Sequence, residues 1–122
     1  MKSGFKKAAS IAARSLAPGK PHHAQWLVTR KCNYQCRGCN VWKEQDQREL
    51  TADEVKKGLD ILKKLGIVEL VFSGGDPLLR DDIGEIIDYA SKLFVTTVYD
   101  NGSMAAKKID SLRKVDFVAI SI

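Results

Sequence analysis

The hydrophobic positions of this chain switch between a strand period and a helix period. Residues 24–30, AQWLVTR, form a short β-type run. From Leu50 to Leu65 the pattern turns helical, with Val55, Leu59, Leu62 and Leu65 on one stripe. Thr51 and Glu54 make a capping box in front of that stripe, and Gly66 supplies the stop behind it. IVELVFS (67–73) is rich in β-branched residues and predicts a second strand. Asp81 then caps a predicted helix whose Ile83, Ile86, Ile87 and Ala90 recur at i, i+3, i+4 and i+7. FVTTVYD (94–100) predicts a third strand, Ser103 caps a short helix through Leu112, and VDFVAISI (115–122) predicts a fourth strand.

Strands separated by helices of this length pair in parallel through right-handed crossovers. The predicted fold class is therefore α/β with a parallel sheet, and apolar runs such as LVF and VAI suit strands covered on both faces. Ahead of it, residues 1–20 form a basic helical segment that places Phe5, Ala8, Ala9, Ala12 and Leu16 on one face and ends at Pro18-Gly19. That segment is expected to be a packing or interfacial helix; its Lys/Arg-rich, acid-free composition also suits a transit peptide. Residues 21–122 form the α/β core. Because the last apolar strand has no helix after it to cover it, the sequence reads as the N-terminal part of a longer protein.

Composition changes this picture little. The chain has 122 residues, 44% hydrophobic and 29% charged, which suits one globular domain. No apolar run approaches the roughly 20 residues of a membrane-spanning helix, so a soluble protein without a transmembrane segment is expected, and clustered thiols in a chain with no secretory signal point to a reducing, cytoplasmic compartment. Charge is more informative. Residues 1–48 hold ten Lys and Arg against two acids, a balance of +8, whereas residues 49–122 hold ten against thirteen. The basic excess surrounds the N-terminal segment and the loop after the first strand; it reads as a docking face for an acidic partner, an anionic substrate or a lipid surface, or as a solvated face. Aromatic-and-basic surface motifs are missing, so no nucleic acid is expected.

All three cysteines, Cys32, Cys36 and Cys39, fall within eight residues, CNYQCRGC. Three thiols cannot all pair, and their spacing is that of metal ligands. Their loop follows the first strand, and sites of α/β proteins form where loops leave the carboxyl ends of strands. A structural zinc wants four ligands and a ferredoxin-type cluster wants four cysteines. His22 and His23 could supply a fourth donor, but a strand of seven residues carries them about 20 Å away. A 4Fe–4S cluster on three thiolates leaves one iron open to something that reacts. A zinc or iron–sulfur module without catalysis is the alternative.

Cys32-x-x-x-Cys36-x-x-Cys39 after the first strand, joined to Gly74-Gly75-Asp76-Pro77 after the second, resembles the radical S-adenosylmethionine (radical SAM) superfamily. CNxW after the third cysteine, LLR after the proline and Asn-Gly after the third strand resemble the branch with molybdenum-cofactor, peptide-modifying and lipid- or haem-pathway enzymes. The resemblance covers residues 24–122 and implies the front of a partial (β/α) TIM-like barrel. It implies that the three cysteines hold a 4Fe–4S cluster whose open iron chelates S-adenosylmethionine. It further implies reductive cleavage to a 5′-deoxyadenosyl radical, which abstracts hydrogen from a small-molecule, lipid or peptide substrate. Flavodoxin or ferredoxin is the acidic electron donor such an enzyme would meet.

The same resemblance assigns Gly74 and Gly75 to the methionine moiety, with Asp76 standing where Glu is usual and Pro77 fixing the turn. Asp100 and Ser121 match positions of polar contacts to S-adenosylmethionine or substrate; Asp100 replaces a more usual Thr, and Asp100-Asn101-Gly102 also reads as a plain tight turn. Gly38 stands where an aromatic residue is common, which leaves Tyr34, Trp42 or residues after Ile122 to pack the adenine, unless both aromatics are buried loop anchors.

Overall fold

A computed structural model describes residues 2–121. Helix α1 (Lys2–Ser15) is followed by strand β1 (His23–Thr29), helix α2 (Ala52–Leu65), strand β2 (Glu69–Gly74), helix α3 (Ile83–Leu93), strand β3 (Val95–Asp100), the short helix α4 (Ile109–Leu112) and strand β4 (Phe117–Ile120). Two 3-10 turns, Val41–Glu44 and Pro77–Leu79, lie in the loops after β1 and β2. The four strands form one sheet in chain order, β1-β2-β3-β4, with every neighbouring pair parallel. This is the α/β arrangement that the alternating periods predict.

Local signals account for most boundaries. Thr51 and Glu54 form the complete reciprocal capping box of α2. At its other end Gly66 adopts φ 90°, its N–H bonds Lys63 O, and Ile67 N bonds Leu62 O. That termination uses Ile67 in the helix cap, so β2 opens two residues later than its apolar run suggests. The core lies between the sheet and helices α2 and α3. Val55, Leu59, Ile83, Ile86, Ile87 and Ala90 bury completely against Leu70, Phe72 and Val98.

Four details depart from the sequence expectation. The cap of α3 is Asp82, not Asp81, and its carboxylate makes no capping bond because it pairs with Arg80 at 2.8 Å. Ser103 caps nothing, since residues 104–108 are turns and α4 begins after Lys108; the Ser103 hydroxyl instead joins loops together. Among the described residues, helices cover one face of the sheet. Its other face, carrying Gln25, Leu27, Ser73, Tyr99 and Ala119, fronts a cavity.

Helix α1 is the fourth. It lies across the amino ends of the strands, but its apolar stripe faces outward, with Phe5 79% and Leu16 83% exposed. The helix is held by the opposite flank. Lys7 Nζ pairs with Asp116 at 2.8 Å, and Arg14 Nε donates to Gly66 O at 2.9 Å. No helix among the described residues is long and apolar enough to cross a membrane.

Candidate functional site

The loops leaving β1 and β2 are locked together beyond the sheet. Gly75 N donates to Thr29 O at 3.0 Å and Asp76 N to Lys31 O at 2.8 Å. Such close approach demands glycine. A Cβ on Gly74, whose φ is 135°, would overlap the Thr29 carbonyl oxygen; one on Gly75 would overlap the Lys31 carbonyl and lie 2.9 Å from Cys32 Cβ. Glu49 reaches the same exit, accepting from Thr29 Oγ1 and from Arg30 N. Arg80, only 5% exposed, ties β1 to the loop before α2 by donating to Val28 O and Leu50 O, each at 2.8 Å.

This lock sets the cysteine loop over a cavity of ≈ 580 Å³ at the carboxyl ends of the strands. Cys32, Cys36 and Cys39 all line it, and all three are free thiols. Gly74, Gly75, Asp100 and Ser121 form part of the wall. Asp76 and Pro77 are buried directly behind it. Tyr34 lines the cavity, whereas Trp42 lies outside it, its indole N–H buried without a partner and its ring covered by Lys43 at 5.4 Å. Ser121 N bonds the carbonyl of Asp100 at 3.0 Å, extending the β3–β4 pairing to the rim.

The polar network behind the wall was only partly readable. Asp76 caps the Pro77–Leu79 turn, its Oδ1 accepting from Leu78 N at 3.1 Å, and its Oδ2 accepts from Ser103 Oγ at 3.3 Å. Ser103 in turn accepts from Asn33 Nδ2 at 2.8 Å, and Asn33 Oδ1 accepts from Asn101 Nδ2 at 2.9 Å. Asn33, Asn101 and Ser103 thus tie the cysteine loop to the loop after β3, a link no spacing rule reveals. Gln25, Ser73 and Tyr99 were also missed as lining residues; their period-2 placement on β1, β2 and β3 was the available signal.

Burial, the adjoining Asp100 carboxyl and its charge push the Asp76 carboxyl up to about 7, against the weaker pull of Leu78 N–H and Ser103. At neutral pH this carboxyl is therefore poised between its two charge states.

Among the described residues no three His, Cys, Asp or Glu side chains converge on one point. Cys32, Cys36 and Cys39 each line the cavity, and a cubane would take each thiolate on a different iron. His23 stands at the far end of β1 beside Glu69, and His22 gives its carbonyl to Val68 N and Glu69 N. Neither histidine is positioned to close a zinc site with the thiols.

The model of the radical SAM superfamily matches residues 26–122, which include this whole constellation. The chain belongs to the radical SAM superfamily. It is 34% identical over 98 residues to a probable GTP 3′,8-cyclase of Methanocella arvoryzae, covering 78% of this chain and 32% of that protein. It is 35% identical over 96 residues to the AdoMet-dependent heme synthase of Oleidesulfovibrio alaskensis, with 75% and 25% covered. Streptococcus suis SuiB bound to S-adenosylmethionine superposes with a TM-score of 0.72 at 18% identity, over 96% of this chain and 28% of that one. The radical SAM chain thus spans about a quarter to a third of the length of these proteins; the two sequence relatives are named enzymes, and the chain shares the fold of SuiB.

Proposed function

We propose that this chain is the cofactor-binding front of a radical SAM enzyme. In this reading Cys32, Cys36 and Cys39 hold a 4Fe–4S cluster by three thiolates, and neither histidine stands near enough to be a fourth donor. When bound, cluster and S-adenosylmethionine supply the reductive sulfur–carbon cleavage that generates a 5′-deoxyadenosyl radical. The protein's own contribution is placement. Gly74 and Gly75 remove side chains where a ligand's backbone-like groups must approach, and their carbonyls can accept from an ammonium. Asp100 and Ser121 present polar groups at the rim, with Asp76 and Pro77 fixing the wall behind. Tyr34 is the aromatic surface available to a purine.

A substrate of small-molecule, lipid or peptide type is expected on the sheet face lined by Gln25, Leu27 and Tyr99, whose mixed apolar and polar character selects no single class. The basic charge around the cysteine loop suits an acidic electron donor such as flavodoxin or ferredoxin. The observation that carries the proposal is the convergence of three thiols with the Gly74-Gly75 wall on one cavity.

Anaerobic reconstitution with iron and sulfide tests it. The reading expects about four irons and four sulfides per chain; one zinc taken up in preference to iron would replace it with a zinc module.

A further inference from the structure

The cysteine loop has little to hold it in place. No residue from 31 to 40 is buried and none lies in a helix or strand. Among the described residues, the one backbone hydrogen bond inside that stretch runs from Cys39 N to Cys36 O at 3.1 Å. The start of the loop is fixed, where Asp76 N bonds Lys31 O and Gln45 Nε2 donates to Cys32 O at 3.3 Å. Past Cys32, packing cannot choose the conformation, because an exposed segment buries too little apolar surface to offset its ordering entropy. From residue 33 to residue 38, Asn33 is the one side chain that hydrogen-bonds another part of the chain, among the described residues.

Asn33 belongs to a closed ring. Its Nδ2 donates to Ser103 Oγ at 2.8 Å, Ser103 N donates to Asn101 Oδ1 at 2.9 Å, and Asn101 Nδ2 donates back to Asn33 Oδ1 at 2.9 Å. Each member gives one bond and takes one, a double role that a carboxamide fills and a methyl group does not. The ring is tied to the interior, because Ser103 Oγ donates to Oδ2 of the fully buried Asp76 at 3.3 Å. Asn101 also lines the cavity beside the three thiols. Loops after β1, β2 and β3 are thereby joined, across 70 positions of chain between Asn33 and Ser103. The bonds of Asn33 are exposed to water, so they add little to global stability. Their effect falls on which arrangement the cysteine loop populates.

We propose that Asn33 is a positioning residue, and that the ring it closes with Ser103 and Asn101 holds the cysteine loop against the cavity wall in the metal-free chain. It acts through its neighbour Cys32 and through Cys36, and touches no reacting atom itself. A loop already in the competent arrangement binds without first being ordered. Opening the ring therefore lowers apparent affinity by the fraction of chains that leave that arrangement. This inference rests on the proposed function for the ligand that reads it out, S-adenosylmethionine on the reconstituted chain.

Two measurements on the full chain test it. Nitrogen-15 relaxation of the metal-free chain reads the loop directly. Backbone order parameters of residues 33–38 should fall below about 0.6 in Asn33→Ala and in Ser103→Ala, and should stay at the parent's value in Ser103→Thr, which keeps the hydroxyl. The Tm of Asn33→Ala should remain within about 2 °C of the parent, since no buried contact is lost. In the reconstituted chain, the affinity for S-adenosylmethionine should fall about three- to tenfold in Asn33→Ala. Asn33→Ala combined with Ser103→Ala should bind no more weakly than the weaker single variant, because either change alone opens the ring. Unchanged order in Asn33→Ala, or Ser103→Thr as loose as Ser103→Ala, refutes the ring. An unchanged affinity in Asn33→Ala refutes the positioning role, and losses that multiply in the double variant refute a shared device. A Tm lowered by more than about 5 °C in Asn33→Ala would make the residue part of the general fold instead. Failure of the parent to bind S-adenosylmethionine overturns the proposed function, while the relaxation data still decide whether the ring orders the loop.

Discussion

Gly75→Ala is the sharpest probe of the lock between the first two loops. The new Cβ would overlap the Lys31 carbonyl and lie 2.9 Å from Cys32 Cβ, and neither neighbour is the free end of a flexible side chain. To clear the overlap the loops must part, which strains the bonds Gly75 N–Thr29 O and Asp76 N–Lys31 O. Each such backbone bond contributes about 1 kcal/mol net, and overpacking adds about 1–3 kcal/mol, so a loss of about 3 kcal/mol is expected. With an unfolding entropy of about 2.1 cal/mol/K per residue, that loss lowers Tm by about 12 °C for a chain of this size. Gly38→Ala is the matched control, because a Cβ there meets nothing within 4 Å although Gly38 sits in the same cysteine loop. It should stay within about 2 °C of the parent. Circular dichroism melts of the three proteins, with iron content after reconstitution, read both effects. A Gly75→Ala protein that melts with the control and loads as much iron would refute the claim that this contact positions the thiols.

Three further outcomes follow from the same geometry. Replacing Cys32, Cys36 or Cys39 singly by Ala should abolish the iron–sulfur absorbance, yet leave the urea stability of the metal-free chain within about 0.5 kcal/mol, since none of the three is buried. The folded chain holds the Asp76 proton up to about pH 7 but the unfolded chain releases it near 3.8. Its contribution is thus fully present below about pH 4 and is lost as pH rises through 7, by at most about 4 kcal/mol. Asp76→Asn should flatten that fall in pH-dependent urea melts; an unchanged slope counts against the buried carboxyl. Arg80→Met should cost about 3–5 kcal/mol by urea unfolding, because it strips the partners of Val28 O and Leu50 O and leaves Asp82 unpaired; a cost under about 1 kcal/mol would show that the arginine is incidental.

What could be read from the sequence was what is local. The capping box of Thr51 and Glu54, the Gly66 stop and the isoleucine stripe of α3 depend on neighbours within a few residues, and each stands where the pattern put it. The cysteine spacing and Gly74-Gly75 were legible for a similar reason, being short runs whose residue types leave few other uses. Long-range polar choices were hidden. Asp82 rather than Asp81 caps α3 because Arg80 draws on its carboxylate while spanning to Val28 and Leu50. The apolar stripe of α1 faces outward because Lys7 finds Asp116 and Arg14 finds the carbonyls closing α2, partners 109 and about 50 residues away. The Asn33–Ser103–Asp76 link joins three loops far apart in the chain, and no periodicity encodes it.

The most direct test of the central claim is electron paramagnetic resonance of the reduced, reconstituted chain with and without S-adenosylmethionine. An iron left open by the protein predicts a reduced 4Fe–4S signal whose shape changes when the cofactor is added. A signal indifferent to the cofactor, or no cluster at all, would contradict the account.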